Sequence, residues 1–140
     1  MTGPINLRVI TPEHIAMDTT CSSIVFPTID GFVGVLKDHA PMVAALGAGE
    51  LTFHGDGGAN EGMFIAGGFA EVRDNTVRIV TEASEPPGDI DVERASRAAE
   101  RARERLDANK VEGGRLDLLR AQYALQRALL RISVATKYNG

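Results

Sequence analysis

The sequence predicts an α+β fold in which a ten-strand β-sandwich is followed by an antiparallel two-helix hairpin. Up to about residue 85, short β-type runs such as INLRVI and NTVRIVTEA are separated by turn residues, which is typical of a sandwich or barrel. After Pro86-Pro87-Gly88 the chain becomes rich in Ala, Arg, Glu and Leu, which favour helices. The expected domains are therefore a β-sandwich over residues 1–86 and a helical hairpin over residues 87–140.

The turn residues of the first half predict where the strands are joined. Asp74-Asn75 is expected to form a tight hairpin, because Asp and Asn tolerate positive φ better than other non-glycine residues. The GDGG segment at residues 55–58 predicts a second hairpin tip, and Gly67-Gly68 predicts a bulge or a close backbone approach. Pro41 fixes its own φ and disfavours helix at Ala40, so a turn is expected around residues 39–41.

The second half shows the period of two helices. Asp89 is expected to cap the first helix, with Asp91 in its first turn. A break is expected at residues 109–114, and a second helix from residue 115 to about 136. The apolar seam positions repeat at intervals of three and four: Ala95, Ala98, Ala102 and Leu106 on the first helix, then Leu118, Ala121, Leu125, Ala128, Ile132 and Ala135 on the second. An alanine-rich seam packs weakly, which makes the hairpin a candidate for opening.

The composition excludes several classes of protein. The chain has 140 residues and a single cysteine, Cys21, so neither a disulfide framework nor a multi-cysteine zinc site is expected. We expect no membrane insertion, because no apolar run approaches the ~18 residues of a membrane span. The three histidines, His14, His39 and His54, show no metal-ligand spacing, and no nucleophile or phosphate-loop motif occurs. No catalytic residue and no metal ligand is therefore predicted.

The charge is divided unequally between the two halves. The net charge is −4, yet residues 1–88 carry 4 Lys and Arg against 11 Asp and Glu, whereas residues 89–140 carry 11 against 8. The arginines of the second half repeat at helical spacing: Arg94, Arg97, Arg101 and Arg105, then Arg120, Arg127 and Arg131. They fit either solvated helix faces with local ion pairs or a site for an anionic ligand or acidic partner. Nucleic acid is disfavoured, because the whole chain is acidic and no aromatic residues accompany the arginines.

Several motifs in the same order resemble one known family, the epsilon chain of F-type ATP synthases, called delta in mitochondria. They are INLRVITPE near the start, GFVGVL followed by HAPM, FIAGGFAEVRDNTVRIVTEA from Phe64, and DIDVERA at the first helix. The resemblance covers essentially the whole chain. It implies a non-catalytic subunit of the rotary central stalk, whose sandwich packs on the gamma subunit and the c-ring. The hairpin would lie folded or extend along gamma toward the alpha and beta subunits, where the extended form inhibits ATP hydrolysis.

The resemblance also implies contact residues. Asp30, Gly31, Phe32 and Val33 would form a loop at the rim that meets the c-ring, and His39, Met42, Val43 and Leu46 would lie near gamma. In the extended hairpin, Arg97, Arg101, Arg105 and Arg120 would meet an acidic surface on beta. His39 is thereby expected to be architectural, so its replacement by Ala should impair stability or assembly and no chemical step.

A regulatory ATP site is a further implication of the resemblance. Some bacterial members bind ATP through Ile-Asp-x-x-Arg-Ala and two arginines on the second helix, which match Ile90, Asp91 and Arg94, then Arg127 and Arg131. Glu85 stands where the family has an acidic residue that contacts the base, although Pro86-Pro87-Gly88 departs from the pattern. Carboxylates accept hydrogen bonds from amino or hydroxyl groups, and guanidiniums hold phosphates in forked hydrogen bonds. No cofactor is required for the coupling role.

The expected location follows from the family and from the N-terminal sequence. Because no targeting segment is recognisable, we expect a bacterial-type protein attached peripherally to the cytoplasmic face of the inner membrane as part of the ATP synthase. The alternative interpretation is a free-standing β-sandwich that binds a ligand, with a helical hairpin for oligomerisation. Co-purification with gamma favours the first interpretation, and self-association favours the second.

Overall fold

The structure is a computed structural model that describes residues 4–55, 57–112 and 114–139. The chain divides into two compact units, one that ends at Pro86 and one that begins at Pro87. The first unit is built from β-strands and the second from helices.

Seven β-strands form the described part of the first unit. They are β1 (Ile5–Ile10), β2 (Ile15–Thr28), β3 (Gly31–Val35), β4 (Met42–Gly55), β5 (Asn60–Arg73), β6 (Thr76–Val80) and β7 (Ser84–Glu85). They pair in the order β1, β6, β5, β4, β2, β3, and β7 pairs with β5. Because β1 also pairs with β2, the strands close into a ring. The β1–β6 pairing is parallel and all the others are antiparallel.

The three 14-residue strands β2, β4 and β5 each take part in two layers. In β5, residues 64–65 pair with β7 while residues 69–73 pair with β6. In β2, residues 15–21 pair with β1 while residues 24–28 pair with β3. The expected β-sandwich is therefore present, but the predicted count of ten strands is wrong. The long strands pass from one layer to the other through bulges and bends, without the interruptions that the turn residues suggested.

The interior of the first unit is apolar and follows the period of two. In β1, Ile5, Leu7 and Val9 are fully buried, whereas Asn6 and Arg8 are exposed. The same alternation occurs in β6, where Val77 and Ile79 are buried. One continuous cluster of buried residues from β1 to β6 forms the core. Burial of each large aliphatic side chain contributes about 1.5–3 kcal/mol to stability.

β5 bends at Gly67-Gly68, where the sequence predicted a bulge or a close backbone approach. The close approach is present: both glycines have positive φ, 75° and 109°, and a Cβ atom on Gly68 would collide with the carbonyl oxygen of Val80. The register of β5 with β4 is continuous across the bend, so no extra residue is inserted. The buried Thr81 hydroxyl accepts a hydrogen bond from the Ala66 N–H (3.2 Å) and donates one to the Ala83 carbonyl (3.1 Å). The bend therefore allows the backbone of β6 to come close to β5 while Ala83 leads into β7.

Asp74-Asn75 forms the predicted tight hairpin between β5 and β6. Its two residues have φ of 51° and 59°, and Arg73 pairs with Thr76 on either side. Asn75 also contacts a second turn, because its Oδ1 accepts the Asp38 N–H (2.6 Å) and its Nδ2 donates to Asp38 Oδ1 (3.3 Å). Asp38 itself has a φ of 65°. Two turns far apart in sequence are thus held together by reciprocal hydrogen bonds.

The GDGG turn between β4 and β5 is described only in part. Asp56 lies outside the described residues. Gly58 donates a backbone hydrogen bond to the Gly55 carbonyl (3.0 Å), which closes a turn at the predicted position.

The second unit contains a 3-10 turn (Pro87–Asp89), α1 (Val92–Glu112) and α2 (Arg115–Asn139). Asp91 caps α1, because its Oδ1 accepts the Arg94 N–H and its carbonyl accepts the Ala95 N–H, both at 3.0 Å. The prediction of Asp89 as the cap is wrong. The residues after Pro86 form a tight turn first, in which Ile90 donates to the Pro87 carbonyl (3.3 Å), so the helix begins later.

The hairpin has the predicted alanine-rich seam with a small shift of register. Ala99 is buried, whereas the predicted positions Ala98 and Leu106 are half-buried. The buried positions of the two helices are Ala95, Ala99 and Ala102 on α1, and Ala121, Ala128, Val134 and Ala135 on α2. Most of them remove little apolar surface from water, so each adds far less to stability than a core leucine.

The predicted break between the helices is shorter than expected. α1 continues to Glu112 and α2 begins at Arg115, because residues 109–112 tolerate helix. Gly113 and the side chains of residues 109–112 lie outside the described residues. α2 also extends to Asn139, beyond the predicted end near residue 136.

Replacement of Gly68 by Ala should destabilise the sandwich severely. The new methyl group would collide with the Val80 carbonyl, and the positive φ would be strained, so we expect a loss of ~3 kcal/mol or more. Residue-resolved hydrogen exchange of the β5 and β6 amides measures this loss. Gly34→Ala is the matched control in β3, because its Cβ would meet only Val25 at 4.0 Å. Equal protection in the two variants would contradict the role given to Gly68.

Candidate functional site

The residues of the predicted ATP motif lie around the start of α1 and in the second half of α2. Ile90 is buried just before α1, Asp91 caps the helix, and Arg94 lies in its first turn. The Asp91 Oδ1 atom is engaged by the Arg94 N–H, while the side chain as a whole is exposed. A carboxylate accepts several hydrogen bonds, so this group retains capacity for the hydroxyl or amino group of a ligand.

The second helix contributes the two other arginines of the motif. Arg127 and Arg131 are half-buried and lie one helical turn apart on α2. Because the hairpin is antiparallel, the later part of α2 runs beside the start of α1, and α2 contacts the 3-10 turn that precedes Ile90. Arg131 lies nearer than Arg127 to the level of Arg94 along the helix axis. Ile90, Asp91 and Arg94 therefore lie at the start of α1, whereas Arg127 lies near the middle of α2 and Arg131 one turn later. Guanidinium groups of this kind suit a phosphate chain.

Glu85 belongs to the other unit. It lies in β7, where its backbone pairs with Phe64 of β5, and its side chain is half-buried. Glu85 lies within residues 1–86, the predicted sandwich domain, and its contact with the base of ATP stays a prediction.

The expected rim residues surround the turn between β2 and β3. The Thr28 hydroxyl accepts the Asp30 N–H (3.1 Å) and donates to the Gly31 carbonyl (2.7 Å), which fixes the turn. Phe32 is 72% exposed beside it, as is Ile29 at 71%. Residues 31–33 are strand residues of β3, so the predicted loop is confined to residues 29–30. Sequence reasoning missed Ile29, although an isoleucine within the turn TIDG is itself a signal of an exposed apolar contact.

The HAP segment forms the predicted turn before β4. The His39 N–H donates to the Leu36 carbonyl (3.2 Å), and His39 Nδ1 lies 2.7 Å from the Ala40 carbonyl oxygen. His39 is half-buried, and its polar atoms engage only local backbone. The histidine therefore shapes the turn, without an acid or a nucleophile among these contacts.

The residues after the turn differ in exposure. Val43 is 70% exposed, Met42 packs partly against the core, and Leu46 is buried within it. Leu46 therefore packs in the core and is not itself part of the exposed surface. An open pocket of about 270 Å³ lies at this edge, lined by Pro41, Met42, Val43, Glu71, Val72 and Arg73.

The helix arginines that the sequence analysis assigned to a partner are exposed. Arg97 lies 4.0 Å from Glu93, and Arg120 lies 4.0 Å from Asp117, so part of the charge is neutralised locally. Arg105 and Arg120, on different helices, come together at the loop end of the hairpin. With Asp117 and Ala121 they line an open pocket of about 340 Å³. Two cations thus converge at the opposite end from the start of α1.

His54 and Cys21 each contact a nearby polar atom of the sandwich. His54 Nδ1 lies 2.9 Å from Asn60 Oδ1, and the buried Cys21 thiol is 3.7 Å from the Ile5 carbonyl oxygen. Within residues 4–55, 57–112 and 114–139, no group of three or more His, Cys, Asp or Glu residues has a metal-binding arrangement. Over the same residues, no helix has the length and apolar character that a membrane crossing requires.

Comparisons with known proteins agree with this architecture in both units. Residues 4–87 match the family model of the ATP synthase delta/epsilon chain β-sandwich domain, and residues 89–136 match that of the long α-helix domain of the same chain. The ATP synthase epsilon chain of Syntrophomonas wolfei is 43% identical over 131 residues, which cover 94% of this chain and 93% of the relative.

Solved structures show the same fold. A chain in the cryo-EM structure of the Euglena gracilis mitochondrial ATP synthase, comprising OSCP, F1 and c-ring, matches with a TM-score of 0.79 and 27% identity, covering 96% of this chain and 82% of that one. A chain from the central stalk and c-ring of the Tetrahymena thermophila enzyme matches in fold, with a TM-score of 0.57, 16% identity and coverage of 99% and 98%. The chain therefore belongs to the family of ATP synthase delta/epsilon chains.

Proposed function

We propose that this chain is the epsilon subunit of a proton-translocating F-type ATP synthase. It is a non-catalytic part of the rotary central stalk, couples rotation to ATP synthesis and regulates ATP hydrolysis through its hairpin. The observation that carries the proposal is the pair of adjoining family matches, which span both units in the order sandwich then helices. As part of that complex, the subunit is peripheral to the membrane.

The sandwich provides the attachment to gamma and the c-ring. The rim residues Asp30, Gly31, Phe32 and Val33 meet the c-ring, while His39, Met42 and Val43 meet gamma with Leu46 beneath them. The joint exposure of Ile29 and Phe32 around one turn supports the rim assignment, because neighbouring large apolar side chains on a surface are typical of protein contacts. The bond between Asp38 and Asn75 holds the adjacent turn in place.

Co-expression with gamma tests the attachment. We expect the full chain to purify with gamma as a stable complex, and His39→Ala to reduce its recovery without any effect on a catalytic step. Size-exclusion chromatography with subunit quantification measures both. A chain that self-associates and does not co-purify with gamma would contradict the proposal and support a free-standing ligand-binding module.

The hairpin provides the regulation. Its seam consists mostly of alanines, so separation of the helices from their folded arrangement costs less than it would for a leucine seam. ATP bound by Ile90, Asp91, Arg94, Arg127 and Arg131 stabilises the folded form. The ligand acts by mass action, and at a hundred times its Kd it adds ~2.7 kcal/mol to the stability of the form that binds it. Glu85 lies in the other unit, so the proposal rests on the five hairpin residues.

Titration of the full chain with ATP tests the regulatory site. We expect ATP to slow hydrogen exchange in α1 and α2. Arg127→Gln should abolish this protection, because it removes a guanidinium group that binds the phosphates of ATP. Asp91→Asn separates capping from binding, since Asn also caps helices. The Asn variant should keep its α1 protection without ATP and lose part of the ATP response.

Arg97→Gln is the matched control, because Arg97 is an exposed arginine of α1 outside the motif. It should leave the ATP response unchanged. Absence of protection in the wild-type chain at millimolar ATP would refute the ATP site and leave the stalk function in place.

The extended hairpin inhibits ATP hydrolysis through a different set of residues. In this form Arg97, Arg101, Arg105 and Arg120 meet acidic residues on beta. Exposed ion pairs contribute up to ~1 kcal/mol each, so the joint replacement of all four by Ala should raise ATP hydrolysis by the assembled complex ~5-fold or more. Arg103→Ala is the control, since Arg103 is exposed and pairs locally with Glu100 at 3.7 Å. Unchanged hydrolysis in the quadruple variant would exclude this contact.

A further inference from the structure

The pocket at the loop end of the hairpin lies between side chains of both helices. It has a volume of about 340 Å³ and is lined by Arg105 of α1 and by Asp117, Arg120 and Ala121 of α2. Each arginine lies between one and two helical turns from the hairpin loop, so the two stand at similar levels along the antiparallel pair. Two guanidinium groups from different helices therefore face one space.

Neither of these arginines is tightly neutralised. The Arg120 guanidinium lies 4.0 Å from the Asp117 carboxylate, beyond hydrogen-bond distance, and the two side chains are 72% and 64% exposed. Across the part of the chain that the structure describes, Arg105 forms no ion pair. Among the described residues that line the pocket, two cations thus face one carboxylate, and the pocket keeps an excess of positive charge.

The charges around the pocket on α1 do not cancel this excess. One turn before Arg105, on the same side of the helix, lies a further cation, Arg101. The nearest carboxylates of α1 belong to Glu104 and Asp107, one and two positions from Arg105. Residues at these spacings do not face the same side of a helix, so neither carboxylate is directed with Arg105 toward the pocket.

The shape of the pocket suits a compact anion with several oxygen atoms. Ala121 is 2% exposed, and its small side chain leaves room between the two long ones. Each guanidinium presents a planar fork of N–H donors, which matches two oxygens of a phosphate group. Two forks from different helices can therefore hold different oxygens of one phosphate. The open side leaves space for water or for the remainder of a phosphate ester.

We propose that Arg105 and Arg120 form a binding site for a phosphate group in the folded hairpin. The ligand is free phosphate or a small phosphate ester, and it displaces Asp117 from its loose pairing with Arg120. This site is separate from the ATP motif, because Arg127 lies about two turns further along α2 than Arg120 and is not among the described lining residues. Under the proposed function the same two arginines meet beta when the hairpin extends, so the bound anion would favour the folded form.

Titration of the full chain with inorganic phosphate tests the site. Sodium chloride keeps the ionic strength constant, and NMR follows the side-chain Nε–H resonances of the arginines. We expect saturable shifts at Arg105 and Arg120 that fit one shared Kd, because one anion contacts both groups. Titration with methyl phosphate distinguishes the two sources of the ligand. An equal Kd indicates that the site accepts esters, and a weaker one indicates that it selects free phosphate.

Substitutions of the lining residues give the second measurement. Arg105→Gln and Arg120→Gln should each weaken the Kd for phosphate ~5-fold, because one of the two forks is lost. Asp117→Asn should strengthen binding ~3-fold, because it removes the carboxylate that competes with the anion for Arg120. Backbone amide spectra check that each variant keeps its two helices.

Two further arginine variants serve as controls. Arg103→Gln removes the same charge from α1, but Arg103 pairs with Glu100 at 3.7 Å and is not among the described lining residues. It should change the Kd less than ~2-fold. Arg127→Gln, which should abolish the ATP response, should also leave the phosphate Kd unchanged and so separate the two sites.

The outcomes distinguish this site from a general effect of charge and from the proposed function. Shifts that do not saturate, an Arg120→Gln variant that binds phosphate normally, or equal losses in Arg103→Gln and Arg105→Gln would overturn the phosphate site. Because the isolated chain is titrated, such a result would leave the stalk function in place. A chain that binds phosphate but does not co-purify with gamma would overturn the stalk function and leave the phosphate site in place.

Discussion

The close approach of Gly68 to Val80 is the constraint on which the sandwich depends. β5 pairs with β7 before the bend at Gly67-Gly68 and with β6 after it, so this one strand serves both layers. The close approach requires a positive φ and the absence of a Cβ atom, which only glycine combines without strain. The Ala66 N–H donates to the Ala83 carbonyl (3.1 Å), and the buried Thr81 hydroxyl adds a hydrogen bond to each of these groups. The two-layer arrangement of the strands depends on this bend.

The two units differ in the side chains that they bury. The sandwich buries branched aliphatic and aromatic side chains in one cluster, whereas the hairpin buries mainly alanines. Each buried residue therefore contributes more to stability in the sandwich than in the hairpin. A firmly packed sandwich followed by a weakly packed hairpin fits the proposed function, in which the hairpin changes conformation.

The fold class was predictable from the change in period and composition at Pro86-Pro87-Gly88. The two-residue hairpin and the close approach at Gly67-Gly68 were predictable because they depend on local backbone preferences of Gly, Asp and Asn. Prediction failed where the outcome depends on tertiary pairing. Nothing local to β2 or β4 shows that these strands continue through a bend, so the strand count was too high. Asp89 and Asp91 are both good capping residues, and only the 3-10 turn selects Asp91. The convergence of Arg105 and Arg120 depends on how two separate helices pack.

The hydrogen bonds between Asp38 and Asn75 also constrain the order of folding. They join residues 37 positions apart, and the backbone carbonyl of Asn75 accepts a further bond from the Asn6 N–H (2.9 Å), so three distant segments meet at one residue. Contacts of such sequence separation form only after the loops between them have been closed. The turn that carries His39 is thus completed late, when β1, β5 and β6 are already paired. A chain in which these segments have not yet met lacks the bonds from Asn75 to this turn, so under the proposed function the surface that meets gamma is complete only after they have paired.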